Sequence, residues 1–411
     1  MPIPYKVFTF IMAGGKGERL HPLTQDRAKP AVPFGGIYRV IDFTLSNCLN
    51  SGLRKIYILT QYKSISLSRH IRQGWSIFDS ELGEFIEIMP AQQRIDERWY
   101  QGTADAVYQN LYSIEMEKPQ PDYILILAGD HIYKMDYRKM IGYHIEKQAD
   151  VTVAAVESPI QKAGQFGIIE MSQDSRVLGF EEKPASPKPI PGRTDKALVS
   201  MGIYVFNRDV LKEELGIDRD KPTQHDFGKN VIPAMIRGKK MYAYPFEDEN
   251  RKNILYWKDI GTLDAYYEAN MDLVQVEPIF NLYDNNWPVR THQGHWPPSK
   301  TVFAGGEEPE RIGLVLNSLI CNGCIISGGR VERSILSPGV RINSYSHIQD
   351  SIIMEGCNIG RHVKIKRAIL DKNVIVENGA TIGFDIEKDK KRFMVTSSDI
   401  VVVAKGTVVK K

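Results

Sequence analysis

The 411-residue sequence predicts an α/β domain built on a largely parallel sheet, followed by a parallel β-helix. Three observations carry this reading. Short, near-continuous apolar runs alternate with amphipathic segments up to about residue 280, the pattern of strands covered on both faces. A glycine-dense loop, "AGGKGERL", leaves the first of these runs. Beyond residue 317 the sequence repeats itself, with an apolar residue roughly every sixth position.

Taken in order, the strands are "KVFTFIMA", "RKIYILTQY", "DYILILAGD", "DVTVAAVE" and "SMGIYVFN", with helical patterns such as "TADAVYQNLYSIEMEK" between them. In "IDFTLSNCLNSGL", Cys48 falls in step with Ile41, Leu45 and Leu49 on one helical face and reads as core. Parallel α/β sheets bind their ligands beyond the carboxyl ends of the strands. The glycine loop after "VFTFIMA" and "AGDHIY" after "DYILIL" therefore belong on the same edge. This domain is expected over residues 1–280. Residues 281–310, containing "NLYDNNWPVRTHQGHWPPSK", read as an ordered connector whose aromatic rings dock. Residues 311–411 hold the repeats. "SILSPGVRINSYSHIQD", "SIIMEGCNIGRHVKIKR" and "AILDKNVIVENGATIG" begin at 334, 351 and 368, and "SLICNGCIISGGRVER" begins one position short of that register, at 318. A single coil cannot bury its own apolar face, so neighbours must stack. The Ile and Val spacing does not follow a helical period.

Composition excludes several classes. A formal charge of +3 gives no reason to expect nucleic acid, although a local anionic ligand is compatible with it. No apolar run approaches the roughly 20 residues of a membrane span. The start "MPIPYKVFTF" lacks the regions of a secretory signal, and four cysteines in a chain this long read as reduced thiols, so a cytoplasmic location is expected. Cys321 and Cys324 form "CNGC", the spacing of a redox pair or half a zinc site, but no second Cys or His pair stands at finger spacing. Buried apolar thiols are the expectation.

Gly14, Gly15 and Gly17 stand within four positions, with Arg19, Arg27 and Lys29 behind them. Glycines this dense let the backbone turn and approach a ligand, and exposed N–H groups with cations nearby make a seat for phosphate. The loop has no Gly-Lys-Ser/Thr ending, and Leu20 stands where a dinucleotide fingerprint needs glycine, so both common phosphate motifs are excluded.

"AGGKGERLHPLTQDRAKPAVPFGG" resembles the nucleotide-sugar pyrophosphorylases. With "RVIDFTLSNCLNSG", "PAQQR", "WYQGTADAV", "LAGDHIY", "EEKP", "SMGIYVF", "HDFGK" and "YWKDIGTLDAYYEANMDL" in that order, the resemblance narrows to the ADP-glucose pyrophosphorylase family over nearly the whole chain. It implies a GT-A-like, Rossmann-like nucleotidyltransferase domain, a left-handed parallel β-helix, a homotetramer, and the reaction of ATP with glucose 1-phosphate to give ADP-glucose and pyrophosphate. The nucleophile is already a phosphate oxyanion. Such chemistry needs alignment and charge neutralisation rather than an activated side chain.

The resemblance places the catalytic, Mg²⁺-holding carboxylate at Asp130 and a second acidic position at Asp259, where N-capping of the following helix is the competing role. Arg19 and Lys29 are expected on the β- and γ-phosphates. Lys183 matches the family's glucose 1-phosphate lysine, and Glu182 beside it can accept from sugar hydroxyls. Tyr100, Gly167 and Ser200 match further sugar-phosphate positions, and Asp226 is expected by the sugar pocket. Gln92 and Gly102 fall where the family reads the base. Anionic metabolites are the family's effectors, bound by basic residues at the domain junction. Arg27, Arg39 and Arg341 stand at matching positions, with Lys391, Arg392 and Lys405 as further candidates. Asp26 and Pro33 replace the Lys and His of the enzymes that respond to fructose 1,6-bisphosphate, so that activator is not expected. Three alternatives stay open at this point. They are a sister enzyme using another base, a non-catalytic subunit, and a β-helix acyltransferase fused to a uridylyltransferase.

Overall fold

The computed structural model describes residues 6–92, 99–304, 308 and 310–411. Its first strand, Val7–Met12, lies between Lys55–Thr60 and Tyr123–Ala128, parallel to both, and Phe85–Pro90 extends the sheet in parallel. Alternate residues of this central strand serve two cores, which is why the run is apolar apart from the buried Thr9. Phe8 and Phe10 pack with Ala104, Val107, Leu111, Leu211 and Leu215 on one face. Val7 and Ile11 pack with Ile41, Leu45, Cys48, Leu67 and Ile71 on the other. Cys48 is fully buried, as its helical phase predicts.

The nine-stranded sheet also has an antiparallel half. The long strand Lys196–Asn207 runs against Tyr123–Ala128 on one side and Val151–Pro159 on the other, with a register shift between Ser200 and Tyr204. Gly202 sits in that irregularity at φ +68°, a conformation that glycine reaches without strain. The bulge bends the strand beside the carboxyl ends of its parallel neighbours, at the edge where the site forms.

The repeats form three stacked sheets of short parallel strands, consistent with a left-handed β-helix. Ile335, Ile352 and Ile369 lie in register, while Leu319 pairs with Ile335 across the shortened first interval. Three series of left-handed residues turn the corners: Asn317, Arg333, Asp350 and Arg367; Gly328, Tyr345, His362 and Gly379; and Gly323, Gly339, Gly356, Asn373 and Gly406. The repeat period is thus a period of backbone as well as of apolar side chains. Ile342, Ile359 and Ile365 fill the interior, each contributing about 1.5–3 kcal/mol by burial.

Two features lie outside the sequence expectations. The first β-helix strand is Lys300–Val302, inside the segment read as connector, and it pairs in parallel with Ile325–Ser327. The segment after Ile382 leaves the coil, forms the short helix Ile386–Lys390, and returns so that Ile369 pairs with Val402. The connector itself docks as expected. Trp287 is buried and donates from Nε1 to Asn47 Oδ1 at 2.9 Å.

One sheet of the β-helix is apolar on its outside as well. Ile352, Met354, Ile369, Ile400 and Val402 pack on Phe34, Phe43, Leu263, Tyr266 and Phe280 of the first domain. Within this seam Arg27 Nη1 donates to Asp371 Oδ1 at 2.9 Å, with both side chains almost wholly buried. A buried ion pair is costly to break because the survivor is left uncompensated. Asp371→Leu or Arg27→Met should each lower stability by about 3–5 kcal/mol, while the double change should cost far less than their sum. Chemical denaturation of the four proteins tests this, and additive single losses below about 1 kcal/mol would rule out a structural pair.

Candidate active site

The glycine loop, the turn after Tyr123–Ala128 and the end of the short strand Trp257–Asp259 converge on a cleft of about 410 Å³. Gly15, Gly17, Arg19, Lys29, Asp130 and Gly261 line it. Of the three loop glycines only Gly17 has a positive φ, +66°, and Thr24 holds it by donating from Oγ1 to its carbonyl at 2.8 Å. Gly15 has open space around it and Gly14 only ordinary contacts, so approach to a ligand is the role left to Gly15. The loop ends in a single 3₁₀ turn, Glu18–Leu20.

Lys29 organises the cleft. Its Nζ donates to Asp130 Oδ2 and to Asp259 Oδ1, each at 2.8 Å. Burial alone would lower the lysine pKa, but the two carboxylates outweigh it and the value rises above the usual 10.5. Burial alone would likewise raise the Asp130 carboxyl. Lys29 and the neighbouring His131 instead hold it at about 2, against an ordinary 3.8. Two of the three Lys29 donors face carboxylates, so at most one remains for the phosphate contact expected from sequence.

Asp259 is not the cap of the helix Leu263–Asp272. Thr262 does that, accepting from Ala265 N. Asp259 instead faces the cleft beside Arg19 and Gly261, where a Cβ added to Gly261 would lie 3.1 Å from Arg19 Nη2 and 3.0 Å from Asp259 Oδ2. Ligand atoms of Asp130, His131 and Asp259 fall within 4.8 Å of one another. His131 was not singled out from sequence. Its Nδ1 is buried without a partner, and its ring packs edge-on to Trp257.

Trp257 also packs against Phe166, which leads to a second cluster. Glu182 is paired with Lys183 at 2.9 Å, and Lys183 takes a left-handed backbone at φ +50°. A Cβ on Gly167 would stand 2.9 Å from Glu182 Oε2, and one on Gly228 2.6 Å from the same atom. Tyr204 lies alongside, its hydroxyl bonded to Ser200 and its pKa raised by burial, with Glu182 and Asp226 adding to the effect. Tyr204 and Gly228 are further residues that motif reading passed over, although both lie within the quoted motifs "SMGIYVF" and "HDFGK".

Tyr100 accepts from Asn110 Nδ2 through its hydroxyl at 2.8 Å. Gly102 precedes the helix Thr103–Met116, and a Cβ there would collide with the carbonyls of Gln224 and His225 at 2.2 and 2.3 Å. Its lack of a side chain is therefore a packing requirement of the protein itself. Gln92 is exposed beyond the end of Phe85–Pro90. Gln93 and Arg94 of "PAQQR" lie outside the described residues.

The candidate effector residues do not all come together. Arg27, Arg39 and Lys405 line a cavity of about 1340 Å³ at the domain junction, with Arg69, Lys372, Asp26 and Glu355. Within it, Arg27 is engaged by Asp371, Arg39 donates to Ala31 O at 2.6 Å, and Lys405 lies 3.8 Å from Asp26. Arg341 projects from a sheet other than the one packed on the first domain, and it donates to Asn343. Arg392 donates to Lys410 O beside exposed Lys391 at the inserted helix. Arg341, Lys391 and Arg392 are not among the residues that line this cavity. Cys324 is buried, whereas Cys321 is half-buried at the cavity wall, its thiol pushed up to about 12 by burial. Among the described residues, Asp130, His131 and Asp259 form the single cluster of metal-ligand type, which leaves the cysteine pair as unpaired thiols.

The Asp130 shift has a sign that can be measured. A carboxyl depressed in the folded state adds stability above its unfolded value, near 4, and loses it as pH falls toward 2. Lys29→Met removes the cation and leaves burial dominant, so Asp130 should then titrate above its ordinary value. Carboxyl ¹³C shifts of Asp130 between pH 2 and 6 read this directly, and an unchanged titration in the variant would contradict the assignment.

Comparison with known proteins agrees with this architecture. The profile of the nucleotidyl transferase family matches residues 8–276, and that of the GlmU-like C-terminal hexapeptide matches residues 297–403. The chain is 53% identical to a glucose-1-phosphate adenylyltransferase of Rhodopirellula baltica over 99% of its length and 92% of the relative's. It is 54% identical to one of Koribacter versatilis, covering 96% of this chain and 94% of that protein, and 50% identical to one of an Anaeromyxobacter species, covering 98% of both. Among the described residues no helix is long and apolar enough to cross a membrane. With its catalytic-type cleft on a nucleotidyl transferase domain and its hexapeptide β-helix behind, the chain belongs to the glucose-1-phosphate adenylyltransferase family, whose members are nucleotidyltransferases.

Proposed function

We propose that the protein transfers the adenylyl group of ATP to glucose 1-phosphate, forming ADP-glucose and pyrophosphate and so supplying the glucosyl donor for glycogen or starch synthesis. The observation that carries this reading is the cation-bridged carboxylate pair, Asp130 and Asp259, set between the glycine loop and the Glu182–Lys183 cluster. Such a site has a place for triphosphate on one side and for an anionic sugar on the other. The glycine loop with Arg19 receives the β- and γ-phosphates. Gly102 and Gln92 face the base. Lys183 takes the sugar phosphate, while Glu182, Asp226, Ser200, Gly167 and Tyr100 surround the hexose.

The phosphate oxygen of glucose 1-phosphate attacks the α-phosphorus, the bond to the β-phosphate oxygen breaks, and pyrophosphate leaves opposite the incoming group. Neither partner needs a proton moved, which suits a cleft whose titratable side chains are engaged in ion pairs. Lys29 takes Asp130 Oδ2 and Asp259 Oδ1, and the other oxygen of each carboxylate is a hard donor of the kind that suits Mg²⁺. When bound, Mg²⁺ neutralises charge on the phosphate oxygens. Lys29 holds both carboxylates in place, and Arg19 offers a planar fork to the leaving phosphates. The convergence of Arg19, Lys29, Asp130 and Asp259 favours an active enzyme over a non-catalytic subunit.

The finer reading has three further parts. Anionic metabolites bind the junction cavity among Arg39, Arg69, Lys372 and Lys405 and regulate the rate. The protein assembles as a homotetramer, and it works in the cytoplasm, where its unpaired thiols stay reduced.

Pyrophosphate release with glucose 1-phosphate, Mg²⁺ and each nucleoside triphosphate in turn tests the reaction. ATP should be the preferred donor, and equal or better use of UTP or dTTP would transfer the protein to a sister activity. Asp130→Ala should lower turnover by about 10²–10³-fold with the fold intact. Lys183→Ala should raise the KM for glucose 1-phosphate by about tenfold and leave that for ATP nearly unchanged. Equal changes in both would argue against its role.

A further inference from the structure

We infer that His225 is a positioning residue that holds the nucleotide and sugar sides of the cleft in one geometry. The inference rests on the reading above, in which Gly102 faces the nucleotide and Asp226 and Glu182 face the sugar.

The helix Thr103–Met116 has no side-chain cap at Gly102. Its first free N–H groups are taken by a distant backbone carbonyl instead. His225 O accepts from Ala104 N at 2.8 Å and from Asp105 N at 3.3 Å. Helix starts need such acceptors, and here the acceptor also presses against Gly102 so closely that no side chain fits there. One residue later the same segment turns to the sugar side. Asp226 Oδ2 accepts from Thr103 Oγ1 at 3.1 Å, and Phe227 N donates back to Thr103 Oγ1 at 3.0 Å. Asp226 then caps the single π-turn Phe227–Val231, which brings Gly228 beneath the Glu182 carboxylate. Such turns occur often at functional sites.

His225 adopts φ +49°, which is unfavourable for a residue with a Cβ. Two bonds keep it there. The ring Nδ1 lies 2.8 Å from Asp218 Oδ2, and the backbone N–H donates to Thr223 Oγ1 at 3.0 Å, while Thr223 itself donates to Asp218 Oδ1 at 2.9 Å. Asp218 thus anchors the imidazole and, through Thr223, the strained backbone. Neither Asp218 nor the imidazole lies among the substrate-facing groups. The device acts through the carbonyl of residue 225 and the side chain of residue 226.

The test is initial-rate kinetics, varying ATP and glucose 1-phosphate separately, on the wild type, His225→Ala, His225→Asn and Asp218→Asn, each with a thermal unfolding midpoint. His225→Ala keeps the strain and loses the anchor, so both KM values should rise together by about tenfold, the loss of one hydrogen bond to a charged group. Asp218→Asn should raise both in the same proportion, and it carries the test alone if His225→Ala does not fold. His225→Asn tolerates the left-handed backbone and keeps an N–H donor, so it should recover most of the loss. A lowered midpoint with unchanged KM values, or a rise confined to one substrate, would overturn the coupling while leaving the proposed reaction standing. Failure of the wild type itself to form ADP-glucose would remove the reaction and this inference together.

Discussion

Two carboxylates at neighbouring strand ends repel unless a cation stands between them, and Lys29 is that cation. The rest of the site is arranged around this fact. Asp130 reaches the cleft because the strand Tyr123–Ala128 ends there, and Asp259 because Trp257–Asp259 pairs antiparallel with His131–Tyr133. The lysine arrives on a short 3₁₀ turn fixed at both sides. Arg27 is tied to Asp371 of the β-helix, and the Arg39 backbone N–H is tied to Asp42. The buried interdomain ion pair is therefore only two residues from the active-site ammonium. A shift of the β-helix against the first domain has a short covalent route to the cleft, and the junction cavity lies along it.

Asp42 shows how much of this framework is polar. Its carboxylate is fully buried: Oδ1 accepts from His70 Nε2 and Trp75 Nε1, and Oδ2 accepts from Arg39 N and Thr291 Oγ1. Two helices, the segment bearing Lys29 and the connector meet on one side chain. Because every lone-pair direction has a partner, burial of the charge is offset by fixed donors.

The strands, the two-sided core and the β-helix were legible in the sequence because each has a local rhythm. Phe8 and Phe10 announce one face, Val7 and Ile11 the other, and the repeats announce their own stacking. The strand-end position of Asp130 was legible for the same reason. What sequence alone did not disclose depends on contacts across long separations. The junction between Arg27 and Asp371 spans the two domains, and nothing near either residue marks its partner. The Lys29 bridge joins three separate segments. Arg341 stands on a face whose direction follows from how the coils wind, and Lys391 and Arg392 stand on an insertion that interrupts the repeat. His225 sits inside a recognised motif, yet its role lies in a carbonyl and a positive φ, which side-chain identity does not reveal.

The proposed chemistry is exchange at phosphorus between two bound anionic substrates, with no side chain forming a bond to either. Ion-paired carboxylates and cations offer alignment and neutralised charge, and the cleft presents no Ser or Cys as nucleophile among its lining residues. Stereochemistry at the α-phosphorus tests this most directly. ATP made chiral there by sulfur substitution, turned over with glucose 1-phosphate, should give ADP-glucose with inverted configuration, the signature of one in-line displacement. Retention would mean two displacements through an adenylylated enzyme, and would contradict the account.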